Sequence, residues 1–426
     1  MESRNIVDLV KDLYYDYAKY VNLGGRTIPL VYDTLKTVQR RVLLSAYELT
    51  KNGNFVKSAK IVGHTIGSYH PHGDAACYGA LVTMVQQGLM EGRGNFGSTA
   101  GLDRIEPASY RYTECRLNPI IKDIAFKYID IVPYFENELN TQEPLYLPTM
   151  LPLNLIAFSD QAEPVTGIGV GYKMKYTLPL FDRKEMIELF IKLIDNKLTG
   201  KEKLNLVYKS IRITAPKSLL NKGEANVKMV ANYTISDNGK EIVIYDFPYS
   251  QLQLPTSMLS KIEGTPIDKS TRTTEVIVKL NKGKYASDYD LDNILSSNTT
   301  FNMMFHDNNK IKVYSLYDLC KLIYNNYKNI VLIDLNNKRQ KHINNINYLE
   351  LLVKIKPHVK SLDISAIAKK VKEKEDVIAD IFKHTTLDTL ANAETKLEEE
   401  QKRLKEIEEN INNIDAFCKK QYEELI

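Results

Sequence analysis

The sequence has no long apolar run and only four cysteines. None of its segments reaches the roughly 18 consecutive apolar residues that a membrane-spanning helix needs. Its first residues, MESRNIVDLVKDLYYDYAKY, are charged and amphipathic, unlike a signal peptide. We therefore expect a cytoplasmic protein with no membrane partner. Because Cys77, Cys115, Cys320 and Cys418 show no C-x-x-C spacing, we expect neither a zinc site nor a disulfide framework, but reduced and mostly buried thiols.

The sequence also lacks the common motifs for nucleotides and metals. Each Gly-Lys pair is followed by Glu or Tyr, so there is no P-loop, and no H-E-x-x-H occurs. The stretch DYDLDN places Asp288, Asp290 and Asp292 as in a calcium loop. However, Asn293 stands where that loop needs glycine, and Thr299 where it needs glutamate. We interpret the stretch as the N-terminus of a helix and predict no metal site.

The length and the charge distribution set the broad class. With 426 residues, of which 43% are hydrophobic, the chain can form two or three globular domains. The net charge of +4 is too small to indicate a nucleic-acid ligand by itself. Basic residues are frequent between Lys36 and Lys60, however, whereas the last 35 residues are rich in glutamate. We expect different partners for the two ends of the chain.

Three short helical patterns follow one another in the basic N-terminal part. Apolar residues recur every three or four positions over residues 35–49, and Arg40 and Arg41 are predicted to project from this helix. A second helix is predicted from Ser58, and a third with Asp74 as its N-cap. Short helices joined by tight basic turns outline a helix-turn-helix unit, a scaffold that reads DNA. The glycine-rich residues 91–98 are predicted to form a loop next to strands.

The rest of the chain has two different patterns. From about 156 to 312, β-branched or alternating runs mix with one amphipathic helix, which predicts an α+β domain. From 313 onwards, two long helical patterns at about 313–356 and 387–426 flank a smaller helical region at about 357–386. The second long pattern carries apolar residues at heptad spacing. We predict an antiparallel helical hairpin with a globular tip.

Three stretches together go beyond such patterns. They are RTIPLVYDTLKTVQRRVL (26–43), KSAKIVGHTIGSYHPHGDAACY (57–78), and GRGNFGS followed by RYTECRL (92–117). These stretches resemble the breakage-reunion subunit of type IIA DNA topoisomerases, the family of the gyrase A subunit, the topoisomerase IV C subunit and the phage medium subunit. The match continues in order through YLPTMLPLNL, TGIGVG, FPY and FNMMF, so it spans nearly the whole chain.

The resemblance implies an α+β multidomain fold. An N-terminal arm and winged-helix DNA-breakage domain would occupy residues 1–155, and a tower domain residues 156–312. Residues 313–426 would form coiled-coil arms whose tip is a small helical dimerisation gate. The chain stops soon after the second arm, which leaves no room for the C-terminal β-propeller with which gyrase wraps DNA. We therefore expect relaxation or decatenation rather than supercoiling.

The resemblance also assigns roles to individual residues. Tyr112 would be the nucleophile that forms a transient 5′-phosphotyrosyl link, with Arg111 beside it. A free phenol has a pKa near 10 and needs cationic neighbours and a proton acceptor to attack phosphorus. His72 would stabilise the developing charge, and Ile168 would wedge between base steps and bend the DNA. The other residues assigned to the scissile phosphate or the DNA are Arg26, Lys36, Arg40, Arg41, Lys60 and His70, of which His70 mainly shapes its loop.

The implied partners are duplex DNA, an ATPase subunit of the TOPRIM type, and a second copy of this chain, which together would form a heterotetramer. The partner subunit would bind ATP and hold most of the Mg²⁺. If the chain is phage-encoded, the assembly would act in the host cytoplasm.

The sequence departs from the family pattern at a few positions. Thr37 and Gln39 stand where the family usually has proline and histidine, so the role of that histidine is lost or replaced. Ala75 and Gly79 stand where the family often has the serine and the acid that anchor the water–metal bridge of quinolones. We therefore predict poor quinolone sensitivity.

Two other functions are compatible with parts of the sequence. A non-cleaving DNA-binding or architectural protein could use the same scaffold, but the intact Arg111-Tyr112 pair argues against it. A tyrosine recombinase needs an H-x-x-R motif, and none of the seven histidines has arginine three residues later. Tyr110, by contrast, is predicted to have only a packing role.

Overall fold

The computed structural model describes residues 5–24, 26–170, 174–250, 254–308, 310–361 and 363–426. The chain divides into two compact units. Unit 1 comprises the chain up to Tyr327 together with Tyr422–Ile426, and unit 2 comprises Lys328–Gln421. The mixed α and β content agrees with the predicted fold class. The predicted boundary between residues 155 and 156, which would lie inside unit 1, stays a prediction.

Helices make up most of the regular structure. They are α1 (Ile6–Leu23), α2 (Thr37–Leu49), α3 (Ser58–Ser68), α4 (Asp74–Gln87), α5 (Pro119–Ala125), α6 (Arg183–Ile194), α7 (Lys217–Lys222), α8 (Pro255–Leu259), α9 (Leu291–Ile294), α10 (Leu316–Ile355), α11 (Ile364–Val371), α12 (Glu375–His384), α13 (Leu387–Ala391), α14 (Ala393–Asn412) and α15 (Ile414–Glu423). No described helix is both long enough and apolar enough to cross a membrane.

The strands are short and lie in unit 1. They are β1 (Val56–Lys57), β2 (Met90–Arg93), β3 (Glu114–Leu117), β4 (Tyr134–Glu136), β5 (Gln142–Pro144), β6 (Thr166–Ile168), β7 (Lys175–Thr177), β8 (Asn205–Tyr208), β9 (Ile211–Thr214), β10 (Glu224–Val230), β11 (Asn232–Ile235), β12 (Glu241–Asp246), β13 (Gly264–Asp268), β14 (Val276–Leu280), β15 (Ser296–Asn302), β16 (Met304–Asp307) and β17 (Lys310–Val313).

Helices α2, α3 and α4 pack against one another beside a small antiparallel sheet. Strand β3 lies in the middle of this sheet, in the order β1-β3-β2. The three- and four-residue spacing over residues 35–49 brings Val42 to the side where the helices meet, and Ile61 of α3 and Leu81 of α4 are buried there as well. This part of the fold carries Tyr112, which lies in the turn that leads into β3.

Two local expectations were wrong in this region. Asp74 is the first residue of α4 rather than its N-cap, which is Gly73, so the Asp74 carboxylate is free to bind another partner. The glycine-rich segment 91–98 is not all loop, because its first residues continue strand β2, where Glu91 pairs with Arg116 of β3.

The middle of the chain is built on antiparallel pairs. A four-stranded sheet has the order β11-β12-β14-β13. Alternate residues of its inner strands, such as Ile242, Ile244, Val276 and Val278, are buried in one apolar cluster with residues of α8 and α9. This alternation is what the sequence pattern predicted, because successive side chains of a strand point to opposite faces.

The DYDLDN stretch lies at the start of the short helix α9, as predicted. Asp290 immediately precedes α9, and Asp292 accepts a hydrogen bond from Tyr233 Oη at 2.8 Å. Asp288 accepts from the Tyr285 backbone N–H at 2.8 Å. Within the described residues, no three histidine, cysteine or acidic side chains come together in a way that could hold a metal ion.

Unit 2 consists of two antiparallel helical arms and a small apolar tip. Three ion pairs fix the direction: Lys328 to Asp415 at 2.6 Å, Arg339 to Glu408 at 3.0 Å, and His342 to Glu400 at 2.6 Å. As the position on α10 increases, the partner position on α14 and α15 decreases. At the tip, the buried side chains of the end of α10, α11 and α12 form one cluster that includes Leu352, Ile367 and Ile378.

All four cysteines are buried thiols, as predicted. Burial raises the pKa of Cys77 and of Cys115 to about 11. A thiol with such a raised pKa stays protonated at neutral pH and is a poor nucleophile.

Candidate active site

Tyr112 presents an exposed phenol from a well-anchored turn. Its side chain is 66% exposed, and its backbone N–H donates to the Ser109 carbonyl at 2.9 Å. The neighbouring Arg111 is also exposed, and its guanidinium carbon lies 5.0 Å from the centre of the Tyr112 ring. The turn therefore places an exposed hydroxyl and a permanent positive charge side by side.

Hydrogen bonds from the first residues of α3 hold this turn in place. The first backbone N–H groups of a helix have no partner inside the helix. Here the N–H of Ser58 donates to the Thr113 carbonyl at 3.0 Å, and that of Ala59 donates to the Tyr110 carbonyl at 3.2 Å. Thr113 is fully buried, and its hydroxyl donates to Ser58 Oγ at 2.8 Å. These bonds flank Tyr112 on both sides and leave its ring on the outside.

Tyr110 ties the same turn to α4. Its hydroxyl donates to Asp74 Oδ2 at 2.9 Å, and this bond to a carboxylate raises the pKa of Tyr110. Its ring meets the Tyr78 ring edge to face, with 5.5 Å between the centroids. The Tyr78 hydroxyl donates in turn to the Ala108 carbonyl at 2.6 Å. Tyr110 therefore packs, as predicted, and also forms a hydrogen bond that the sequence did not suggest.

The loop between α3 and α4 carries both histidines of the YHPHGD stretch. His72 is exposed, and its ring lies nearly perpendicular to that of His70, with 4.5 Å between the centroids. His70 is only 8% exposed. Burial, followed by the charges of His72, Arg41 and Arg26, lowers the pKa of His70 to about 4. At neutral pH His70 is therefore an uncharged imidazole.

The two arginines of α2 have different environments. Arg41 is half-buried, and its guanidinium binds Glu143 of β5 and His70. Arg40 does not project toward solvent, contrary to the sequence prediction. It is 9% exposed, and its Nε donates to Asp33 Oδ2 at 2.6 Å while Nη2 donates to Oδ1 at 3.0 Å. The buried Asp33 carboxylate thus holds this guanidinium by two hydrogen bonds, and the DNA-binding role assigned to Arg40 stays a prediction.

Lys36 contacts the hairpin of β6 and β7 that carries Ile168. Ile168 is 65% exposed at the end of β6. Lys36 donates from Nζ to the Thr166 carbonyl at 2.9 Å and lies over the Tyr176 ring, and burial lowers its pKa. Lys36 thus supports the strand that carries Ile168. Gly171, the last residue of the TGIGVG stretch, lies outside the described residues.

The remaining predicted DNA-binding residues are exposed. Lys60 lies on the outside of α3, and Arg26 lies in the segment that follows α1, close enough to His70 to lower its pKa. Gln39, which replaces the usual histidine, is buried, and its Oε1 accepts from Asn154 Nδ2 at 2.8 Å and from the Lys36 backbone N–H at 2.9 Å. At this position the glutamine is part of a buried hydrogen-bond network with Asn154 and the Lys36 backbone.

Several residues that shape the site were not foreseen from the sequence. Ser58, Thr113 and Glu143 act through contacts with segments far away in the chain. Glu143 belongs to a three-residue strand, which has no periodicity that could have indicated a buried acid. Ser58 is the first residue of α3, and no sequence pattern indicated that its hydroxyl accepts a hydrogen bond from the distant Thr113.

Comparison with known proteins places this arrangement in a family. The family model for the A subunit of DNA gyrase/topoisomerase IV matches residues 26–425. The A subunit of DNA gyrase from Campylobacter fetus is 28% identical over 98% of this chain, and that of Helicobacter pylori is 31% identical over 78%. Its counterpart in Aminobacterium colombiense is 41% identical over 45% of the chain.

These alignments cover 52%, 43% and 23% of the respective relatives, so the chain spans about half of their length or less. The family match nonetheless runs through the Tyr112 turn, the histidine loop and both helical arms. The chain belongs to the family of the DNA gyrase/topoisomerase IV A subunit.

Proposed function

We propose that this chain is the DNA-cleaving subunit of a type IIA DNA topoisomerase, with Tyr112 as the nucleophile. The observation that carries the proposal is the geometry of the Tyr112 turn. The phenol is 66% exposed, while hydrogen bonds from α3 fix the backbone on both sides of it and the Tyr110 side chain binds Asp74 of α4. A nucleophile must be accessible to a bulky duplex and still be held in one place.

The chemistry proposed for Tyr112 is a transesterification. The phenol gives up its proton to a nearby acceptor, and its oxygen forms a bond to the scissile phosphorus. The bond from phosphorus to the 3′ oxygen of the neighbouring nucleotide breaks, and that oxygen takes up a proton. One P–O bond replaces another, so the break can reseal by the reverse reaction without ATP. Arg111 stabilises the added negative charge, because guanidinium groups bind phosphate oxygens strongly.

The exposed groups around the turn suggest how DNA is held. Arg26, Lys60 and His72 are exposed on segments that adjoin the turn or the histidine loop, and we propose that they contact phosphates. Ile168 is an exposed apolar side chain at a strand end, which suits insertion between base steps. Such insertion would kink the duplex and bring more of it against the protein.

The partners implied by the family are also proposals for this chain. We propose a homodimer that assembles with an ATPase subunit, and that this second subunit binds ATP and most of the Mg²⁺. The N-terminal part of α1 offers a surface for assembly. Its apolar side chains Ile6, Val10 and Leu13 are 73%, 59% and 60% exposed, which is unusual unless another protein covers them. We also propose that a second duplex passes through the transient double-strand break, which gives relaxation or decatenation.

The experiment combines this chain with its candidate ATPase subunit, Mg²⁺, ATP and supercoiled or linked DNA circles. Wild-type protein should give relaxed or unlinked products and, after denaturation, DNA bound covalently at its 5′ ends. Tyr112→Phe should bind DNA with wild-type affinity but give no covalent complex, because it has lost only the attacking oxygen. Tyr245→Phe, which changes another exposed tyrosine in strand β12, is the matched control and should cleave normally.

Two outcomes would contradict the proposal. Covalent complex with Tyr112→Phe would show that another group is the nucleophile. Tight DNA binding by the wild-type assembly without any covalent complex would favour a non-cleaving architectural protein on the same scaffold.

A further inference from the structure

Glu143 is a buried carboxylate that binds the Arg41 guanidinium through bidentate hydrogen bonds. Arg41 Nε donates to Oε2 at 2.9 Å, and Nη2 donates to Oε1 at 2.6 Å. The two side chains are 14% and 5% exposed, for Arg41 and Glu143 respectively. This parallel geometry fixes the plane of the guanidinium as well as its position. A buried carboxylate that lost its arginine would be left as an unpaired charge, so the contact resists opening.

The free side of the Arg41 guanidinium faces His70. Arg41 Nη1 lies 3.1 Å from His70 Nδ1. A guanidinium has donors only, so Nδ1 must accept and carries no proton. A neutral imidazole then carries its proton on Nε2. No described residue accepts a hydrogen bond from His70 Nε2, and this atom is not among the fully buried polar atoms that lack a partner, so it reaches solvent.

The loop that carries His70 is tied to the Tyr112 turn. Asp74, four residues after His70, accepts the hydrogen bond from Tyr110, two residues before Tyr112. A phosphate attacked by Tyr112 would therefore lie near this loop. Uncharged His70 offers that phosphate a donor that needs no change of protonation.

We propose that Glu143 is a positioning residue for DNA cleavage: it locks Arg41, and Arg41 fixes His70 as an Nε2–H donor toward the phosphate. The inference rests on the proposed function and refines it. The family resemblance implies that Arg41 itself contacts a phosphate. In this geometry Arg41 acts through His70, because both its Nε and its Nη2 are used by Glu143.

The groups that surround His70 come from several elements. Arg41 lies on α2 and is bound by Glu143 of β5. Arg26 lies in the segment after α1, and His72 lies on the same loop as His70. The positive charges disfavour protonation of His70, and burial acts in the same direction. His70 should thus keep its neutral form through the whole pH range in which such an enzyme works.

The first test reads the protonation of His70 in the wild-type protein. In wild-type protein labelled with ¹⁵N-histidine, the His70 signals, assigned by comparison with His70→Gln, should show protonated Nε2 and unprotonated Nδ1 from pH 5 to 8. Titration of His70 with a midpoint near its ordinary pKa of about 6.5, or a proton on Nδ1, would overturn the inference. This measurement does not depend on whether the protein cleaves DNA.

The second test compares binding with cleavage in the assembly with Mg²⁺ and the candidate ATPase subunit. Glu143→Gln and Arg41→Met should both lower the cleavage rate at saturating DNA, by about 100-fold if the donor is misplaced by an ångström. Their DNA affinity should keep the wild-type dependence on salt. A direct phosphate contact by Arg41 would instead lower the slope of log affinity against log salt by about 0.9 in Arg41→Met.

Glu91→Gln is the matched control. Glu91 pairs with Arg116 at 2.7 Å in the same small sheet that follows Tyr112, but neither residue contacts His70. This variant should cleave within about twofold of wild type. If Glu143→Gln cleaved DNA at the wild-type rate, or if Arg41→Met showed the reduced slope of log affinity against log salt, the positioning role of Glu143 would be overturned. The proposed function would not be affected by either result. Failure of the wild-type assembly to form any covalent complex would overturn the proposed function and this inference with it.

Discussion

At the scale of single residues, the site depends on which groups are held and which are left exposed. Tyr112 and Arg111 are exposed, whereas Thr113, one residue further on, is fully buried. In the same way, Arg40 is buried and bound to Asp33, whereas Lys60 is exposed. Sequence motifs indicated these basic residues as a group. They could not tell a buried arginine from an exposed one, because both have the same side chain and differ only in their surroundings.

The Tyr110–Asp74 hydrogen bond gives a prediction at this scale. Tyr110→Phe removes the donor that ties the Tyr112 turn to α4, so we expect the cleavage rate to fall about tenfold while DNA affinity stays unchanged. Asp74→Ala should have a similar effect, and the double variant should be no worse than either single one, because both remove the same contact. Asp74→Asn keeps an acceptor oxygen and serves as the milder control. Additive losses in the double variant would show that the two residues act separately.

At the scale of the element, the exposed side of α4 carries two of the positions that depart from the family pattern. Ala75 and Gly79 are exposed one helical turn apart, and a Cβ built on Gly79 would meet no atom within 4 Å. Larger side chains therefore fit without repacking. The fold itself accounts for this freedom, because the buried side of α4, with Cys77, Leu81 and Met84, already supplies the contacts with α2 and α3.

We predict that the Ala75→Ser/Gly79→Glu double variant becomes sensitive to quinolones. It restores the hydroxyl and the acid that the resemblance assigns to drug anchoring, so the drug concentration that gives half-maximal trapped cleavage should fall at least about tenfold, the effect of 1.4 kcal/mol of binding free energy. Gly79→Ala is the control: it should raise helix stability by up to about 1 kcal/mol, because glycine is a poor helix former, without changing drug response. Trapped cleavage by the wild-type protein at ordinary drug concentrations would contradict the prediction.

At the scale of the whole molecule, helix α1 allows the proposed assembly with the ATPase subunit to be tested. The first turns of this helix expose apolar side chains, whereas Ala18, Val21 and Asn22 near its end are buried. The helix is thus anchored at one end and offers an apolar surface at the other. In unit 2, the ion pairs between the arms and the apolar tip hold the hairpin together without any contribution from the site.

Leu13→Asp should weaken assembly with the ATPase subunit. Burying a leucine side chain contributes about 1.5–3 kcal/mol, so its loss should raise the dissociation constant by roughly tenfold to a hundredfold. Sedimentation of the mixed subunits measures this directly. Lys19→Ala, at another exposed position of α1, is the matched control and should assemble normally. Normal assembly of Leu13→Asp would show that this face of α1 does not bind the partner.

The sequence by itself determined helices α2 to α4, the strands of the middle segment, the two helical arms and the choice of Tyr112 as the proposed nucleophile. Periodic burial is a local property of the chain, and the RYTE and YHPHGD stretches are contiguous, so both could be read directly. Only the tertiary structure decided that Arg40 is buried against Asp33, that Arg41 binds Glu143 and His70, and that Tyr110 reaches Asp74. Each of these contacts joins segments that are separate in the chain, and burial by neighbouring elements sets the charge and the hydrogen-bonding role of each group.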